Sequence, residues 1–316
     1  DGTWLWAVTA GSADFYDQCR GVTIDSKGNV YGTGYFNGTI NFGSNQVTST
    51  DFDGWIARVN TTGKFDWAIK FGGGDQDVGW DLATDNYDNL YVTGWYRNIT
   101  QFGNTTLEDS DQTGDTRFFL AYYNVTAGNW DWAKTSYGNG RVVPYQLVQE
   151  PSTNSVYVAG LNTGAEQWGN GAFISRPDSR LAGLLIKFDE AGDLVWGKSI
   201  GGPQCQTLGR NCGVYFNNVI LHPHGGVIVA GMYLDGFVDN TGTSIGGYGD
   251  WDVLVLRYDI NGSFMWNHYG GSVEEDRLES LSANQKGEVQ FGGKHLANMT
   301  FGSNTLAMNG TAGAFD

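Results

Sequence analysis

Apolar residues fall into short runs rich in Val, Ile, Tyr, Phe and Trp, each bounded by Gly, Asn or Asp. Val30-Tyr-Gly-Thr-Gly-Tyr35, Leu90-Tyr-Val-Thr-Gly-Trp95, Val156-Tyr-Val-Ala-Gly160, Val227-Ile-Val-Ala-Gly231 and Val289-Gln-Phe-Gly-Gly293 are one such series. Nothing keeps a helical period for three turns, so the pattern predicts strands joined by tight turns. Middle runs such as Val227 to Ala230 are apolar on both faces, which a strand tolerates only in a sheet covered on both sides.

The runs recur in a fixed order. A tryptophan closes one phrase five times, in Asp1-Gly-Thr-Trp-Leu-Trp6, Thr62-Gly-Lys-Phe-Asp-Trp67, Ala127-Gly-Asn-Trp-Asp-Trp132, Ala191-Gly-Asp-Leu-Val-Trp196 and Asn261-Gly-Ser-Phe-Met-Trp266. A glycine cluster follows each internal phrase, as at Phe71-Gly-Gly-Gly74 and Tyr269-Gly-Gly271. A Phe-Gly or Trp-Gly marker stands at Phe42-Gly43, Phe102-Gly103, Trp168-Gly169 and Phe301-Gly302. One supersecondary unit copied five times is the simplest origin. Four strands per unit repeated radially predict an all-β, five-bladed β-propeller with four-stranded antiparallel blades. Residues 1–316 read as a single domain, its repeats ending near Trp67, Trp132, Trp196 and Trp266.

The units resemble the bacterial and archaeal β-propeller repeat abbreviated SBBP. Asp25-Ser-Lys-Gly-Asn29-Val-Tyr-Gly-Thr-Gly34 and Asp85-Asn-Tyr-Asp-Asn89-Leu-Tyr-Val-Thr-Gly94 carry the likeness, and Glu150 and His222 depart from it where a turn aspartate would stand. The resemblance covers essentially the whole chain and implies a fold and an extracellular habit, without a common reaction.

The frame of the repeat predicts how the ring closes. Residues 1–8 supply an outermost strand, Thr3 to Val8, and residues 267–316 supply inner strands near Leu278–Ala283 and Glu288–Gly293. The last blade is then shared, the N-terminal strand pairing into it, as propellers close. A third strand would start near Ala314, so either the natural chain continues past Asp316 or a neighbour's segment completes the sheet.

Composition narrows the class. Charged residues are 16% and aromatics 14%, a balance suited to a rigid extracellular scaffold, and the net charge of −16 argues against nucleic acid or an anionic membrane as partner. No apolar stretch is long enough to span a bilayer. The missing initiator Met suggests a processed N-terminus. Cys205 and Cys212 bracket a short insertion and suit a loop-pinning disulfide, or are two unpaired thiols; Cys19 has no obvious partner. Eight N-glycosylation sequons occur, at Asn37, Asn60, Asn98, Asn104, Asn124, Asn261, Asn298 and Asn309. Asn37, Asn98 and Asn298 precede the Phe-Gly marker, and Asn60, Asn124 and Asn261 fall in the turn entering the tryptophan strand. The competing explanation is that Asn suits these turns and Thr the strand that follows.

Candidate chemistry is sparse. Asp17, Asp77 and Asp276 align at the entrance to the innermost strand of three repeats, where converging carboxylates would suit Ca²⁺; otherwise each accepts backbone N–H groups in its own turn. Asp51-Phe-Asp53 and Asp250-Trp-Asp252 open third strands. His222-Pro-His224 has a metal-ligand spacing but sits in a tight turn, and Glu274-Glu-Asp276 with Glu279 reads as an acidic loop. With four histidines, two of them isolated, no catalytic triad assembles. Loop aromatics Phe15, Tyr16, Trp80, Trp95, Trp168, Tyr248 and Trp251 can pack between blades or stack on sugars. The reading that follows is a non-enzymatic, glycosylated structural or adhesive module at the cell surface, such as the subunit of a filament or layer. It would self-associate or meet other extracellular proteins, with no cofactor beyond the calcium option. The alternatives are a lectin-like propeller and, further off, a polysaccharide lyase or hydrolase.

Overall fold

A computed structural model describes residues 2–12, 16–109, 114–168, 181–201, 213–238 and 243–307, and the backbone of 172–174. Every regular element described is a strand, as the hydrophobic pattern required. The chain divides into two compact units, Asp1–Tyr137 with Arg141–Val156, and Gly138–Gly140 with Tyr157–Asp316.

Unit 1 opens with β1 (Ala10–Gly11), β2 (Gln18–Ile24), β3 (Val30–Phe36), β4 (Thr39–Phe42), β5 (Asn45–Thr48), β6 (Asp53–Val59) and β7 (Phe65–Phe71). Its second repeat holds β8 (Asp77–Thr84), β9 (Leu90–Tyr96), β10 (Ile99–Phe102), β11 (Thr105–Glu108), β12 (Arg117–Asn124) and β13 (Asn129–Gly138), followed by β14 (Val142–Glu150). The antiparallel order β2-β3-β6-β7 is repeated as β8-β9-β12-β13.

At the division lies β15 (Ser155–Asn162). Unit 2 continues with β16 (Glu166–Trp168), β17 (Ala172–Ile174), β18 (Ala182–Phe188) and β19 (Leu194–Ile200), then β20 (Gly213–Leu221), β21 (Val227–Val238), β22 (Ser244–Tyr258) and β23 (Phe264–Gly271). It ends with β24 (Asp276–Ala283), β25 (Val289–His295), β26 (Met299–Phe301) and β27 (Asn304–Leu306). The order β20-β21-β22-β23 repeats the four-strand plan.

The reading of four strands per unit missed a hairpin, and the Phe-Gly marker is its signature. Phe42 and Phe102 end β4 and β10 fully buried, and Gly43, Gly103 and Gly302 turn the chain at φ 61, 57 and 59. An L side chain rarely adopts that left-handed conformation, so glycine is required there. Phe102 stacks on Phe71 at 4.9 Å and lies edge-on to Trp130 at 5.0 Å. Each ring so buried contributes about 1.5–3 kcal/mol. The fourth repeat lacks the marker, and its hairpin is replaced by long, continuous β21 and β22.

The recurrent Asp-to-Asn turn has an equally local cause. In the first repeat Asp25 Oδ1 accepts the N–H groups of Lys27 and Asn29 at 2.9 and 2.8 Å, while Tyr31 donates its hydroxyl to Oδ2. Asp85 accepts from Tyr87 and Asn89 in the same way. Where His222 replaces the aspartate, its Nδ1 accepts the His224 N–H at 3.1 Å, so the imidazole substitutes for a carboxylate in turn closure.

One expectation fails. Residues 2–9 form no strand, and the first strand, β1, pairs with β4 of its own unit. Trp4 and Leu5 stand 87% and 91% exposed, although Trp6 packs beneath Gly63. A strand needs a partner edge to satisfy its backbone groups, and the described structure pairs none with Thr3–Val8. The region around Ala314 lies outside the described residues.

Candidate functional site

The first strand of the recurrent order carries a β-bulge five residues before its turn residue. β2 shifts register between Cys19 and Gly21, β8 between Gly79 and Asp81, β20 between Phe216 and Asn218, and β24 between Leu278 and Ser280. The extra residue at a bulge is unpaired and its side chain is re-aimed. In unit 1 those residues are Arg20 and Trp80, and Tyr145 holds the same place, five residues before Glu150.

They form a row. The Arg20 guanidinium lies 4.5 Å over the Trp80 ring and 5.7 Å from Tyr35, while Tyr145 meets Trp80 edge-on at 5.2 Å. Arg20 and Trp80 line one side of a cleft of 320 Å³, completed by Tyr16, Tyr35, Phe52, Gln76, Val78 and Trp95. Strand register explains the convergence, because Val78 is opposite Trp95 in the β8–β9 pair. Tyr35 and Phe52 meet edge-on at 5.8 Å, which props the wall. Tyr16 is 79% exposed and forms the rim.

Chemically the cleft offers flat aromatic faces, one cation and one amide. None of its lining residues carries a carboxylate. Asp81 follows Trp80, and burial pushes its carboxyl up to about 7, against the pull of the Leu147 N–H, which it accepts at 2.9 Å. Its size lies at the lower end of the roughly 300–1,000 Å³ of small-molecule sites.

Of the loop aromatics named from sequence, the structure gathers Tyr16, Trp80 and Trp95 here. Trp168 is instead buried against Phe188 at 5.5 Å, and Trp251 packs edge-on to Tyr215 at 5.1 Å. Tyr248 is exposed, and Phe15 lies outside the described residues. Arg20, Tyr35, Phe52 and Gln76 were missed. A cation in a strand of small and apolar residues was the available signal for Arg20.

Asp17, Asp77 and Asp276, the calcium option, are each engaged within their own turn. Each carboxylate accepts a nearby backbone N–H, from Ser12, Gly73 and Ser272 at 2.5, 2.8 and 2.5 Å. No three acidic, histidine or cysteine side chains among the described residues come together to hold a metal. At His222-Pro-His224, Nδ1 of His222 already faces the His224 N–H and the Arg257 guanidinium, and burial with Arg257 lowers the ring's pKa. Glu275 and Glu279 are engaged by Arg277 and Lys294.

The sequons differ in accessibility. Asn60 Oδ1 accepts the N–H groups of Thr62 and Lys64, and its Nδ2 donates to Asp66 at 2.7 Å. Asn124 closes the corresponding turn, and Asn98 donates Nδ2 to Asp75 at 2.6 Å. Asn261 is not their equivalent: it lies two residues past Asp259, which does the capping. Asn104, Asn261 and Asn298 are exposed and Asn37 is half-buried. Asn309, Cys205 and Cys212 lie outside the described residues, and Cys19 is a free thiol.

No family model and no curated protein matches the sequence. Among solved structures the chain is similar to the rhamnogalacturonan lyase YesW, at 13% identity and a TM-score of 0.32 over 87% of this chain. It is similar to the exotype rhamnogalacturonan lyase YesX at 11% identity and a TM-score of 0.29 over 92% of this chain. The chain spans 57% of the length of each. The expectation of a non-enzymatic structural or adhesive module is at odds with these similar structures, which are lyases, and is not retained. A likeness of this degree carries no argument about substrate, so function rests on the cleft itself.

Proposed function

We propose that this chain is a five-bladed β-propeller of the SBBP type whose unit 1 binds a saccharide in the bulge-row cleft. The observation that carries the reading is the Arg20 guanidinium held on the Trp80 face beside Tyr35, at the wall of a cleft of pyranose dimensions. A sugar ring presents C–H groups on one face and hydroxyls at its edge. Trp80 or Trp95 would take the face, while Arg20 and Gln76 donate to edge oxygens or to a carboxylate. The recurrent four-strand order and the conserved frame of the repeat within this one chain support the propeller. We further propose an extracellular location, with N-glycans on the accessible Asn37, Asn104, Asn261 and Asn298.

Titration calorimetry of the full chain against neutral and uronate-containing oligosaccharides tests this reading. Trp80→Ala should weaken binding by about tenfold or more, the loss of one stacking aromatic being about 1–3 kcal/mol. Absence of binding to every saccharide at millimolar concentration would sink it. New reducing ends or unsaturated products in the same mixtures would show that the cleft serves catalysis as well.

A further inference from the structure

Each unit buries a pair of aspartates in matching positions, and the two pairs are neutralised differently. In unit 1 the pair is Asp53, at the start of β6, and Asp77, at the start of β8; in unit 2 it is Asp252, in β22, and Asp276, at the start of β24. All four are at most 1% exposed, and each leaves Oδ1 buried without a hydrogen-bond partner. The glycine clusters after β7 and β23 make room for them. A Cβ on Gly72 would lie 2.2 Å from Asp53 Oδ1, and one on Gly271 only 1.7 Å from Asp252 Oδ1.

Unit 1 supplies its own cation, because Lys70 Nζ pairs with Asp53. The matching position in β23 is Tyr269, opposite Leu254 as Lys70 is opposite Trp55. Among the described residues, unit 2 therefore keeps both carboxyl groups without an ammonium at the position of Lys70. A second orphan lies beside them. Tyr233, fully buried and directly opposite Asp252, has no partner for its hydroxyl among the described residues, whereas its counterpart Tyr96 bonds Thr135 at 3.1 Å. Asp252 Oδ1 lies against Gly271, and the next residue, Ser272, donates its N–H to Asp276, so the two carboxyl groups are neighbours, with Tyr233 facing Asp252 from the adjoining strand.

We infer that Asp252, Asp276 and Tyr233 hold a calcium ion in unit 2, at the place where unit 1 holds a lysine ammonium. The donors are hard oxygens, and two carboxylates balance a divalent charge. Ca²⁺ tolerates irregular oxygen sets and completes its shell with carbonyls and water, where Mg²⁺ demands an octahedron. The remaining oxygens of the aspartates are already fixed, since Tyr248 and Ser272 donate their N–H groups to Oδ2 of Asp252 and Asp276 at 2.7 and 2.5 Å. Exposed Asp250 flanks Asp252 on the solvent side. His295 stands opposite Asp276 across β24 and β25, and its Nδ1 faces the Ala297 carbonyl of its own turn rather than the carboxyl pair.

The full chain, stripped with a chelator, is titrated with calcium chloride while its thermal midpoint is followed, and with terbium while luminescence is excited through tyrosine. Calcium at about a hundredfold excess over its Kd should raise the midpoint by roughly 5 °C and displace terbium. Asp276→Asn should abolish both signals, and Asp77→Asn should leave them intact. Tyr269→Lys separates a lost site from a lost fold. It installs the ammonium of unit 1, so the variant should fold yet need at least tenfold more calcium. A wild-type chain indifferent to calcium, a Tyr269→Lys variant that responds like wild type, or an Asp77→Asn variant that loses the response would each overturn the assignment.

Discussion

Asp53 in unit 1 and Asp252 in unit 2 stand at the same register position, opposite Phe36 and Tyr233, and the second repeat places Arg117 there, opposite Tyr96. Three buried charged groups thus occupy one backbone position, each with its own neutralisation. Asp53 has the Lys70 ammonium and the Ser49 hydroxyl; Arg117 has Asp109, itself 1% exposed in its side chain, at 2.8 Å; Asp252 has backbone N–H donors and no ammonium. The repeat therefore fixes where charge is buried, while the choice of partner belongs to each copy. An unpaired buried charge costs more than a folded protein tolerates, so each copy must answer the same electrostatic problem locally.

The comparison breaks most visibly at Arg117. Arg117→Met should cost about 3–5 kcal/mol, because the Asp109 carboxylate would stay buried without its guanidinium. Urea unfolding measures it, and a loss below about 1 kcal/mol would show that Asp109 finds water or another donor. Lys70→Met is the milder version. The Lys70 side chain is 43% exposed, so solvent screening limits the loss to about 1–2 kcal/mol at neutral pH.

A third test concerns pH. Burial, with a smaller push from Asp53, raises Asp77 to about 8 from an ordinary value of 3.8, against the Gly73 N–H that lowers it. The native chain then keeps a proton that the unfolded chain releases. The stabilisation is complete below about pH 4 and is lost as pH rises through about 8, with a slope approaching about 1.4 kcal/mol per pH unit. Asp81, raised by burial to about 7, adds the same trend over a narrower window. Asp77→Asn should roughly halve the slope measured by chemical denaturation between about pH 4 and 7; an unchanged slope would show that Asp77 titrates normally. The smallest effect is Asn60→Asp. Asp189 and Asp259 accept two N–H groups in the corresponding turns, so the exchange should change stability by no more than about 0.5 kcal/mol, read as the thermal midpoint.

Much of this was legible in the chain. The runs around Val30, Leu90, Val156, Val227 and Val289 are strands β3, β9, β15, β21 and β25. The Asp25 and Asp85 turns close as their residue types require, since a carboxylate two and four residues ahead of a free N–H is a local device. The cleft was legible only as a set of candidate aromatics. Trp80 and Trp168 are indistinguishable as letters, yet one lines a cleft and the other is 3% exposed. Arg20 drew no notice because its role depends on the bulge that turns it onto a ring from a strand sixty residues away.

The sequence by itself determined the strands, the turn chemistry and the repeat, because these depend on the period of side chains and on hydrogen bonds a few residues long. Tertiary structure decided which bulge residues meet, which aromatic rings are left open, and which buried aspartates have a cation beside them. Those outcomes depend on distances between strands far apart in the chain, and the same aspartate has an ammonium on its second oxygen in one copy and a backbone N–H in the other according to whether the strand beside it brings lysine or tyrosine.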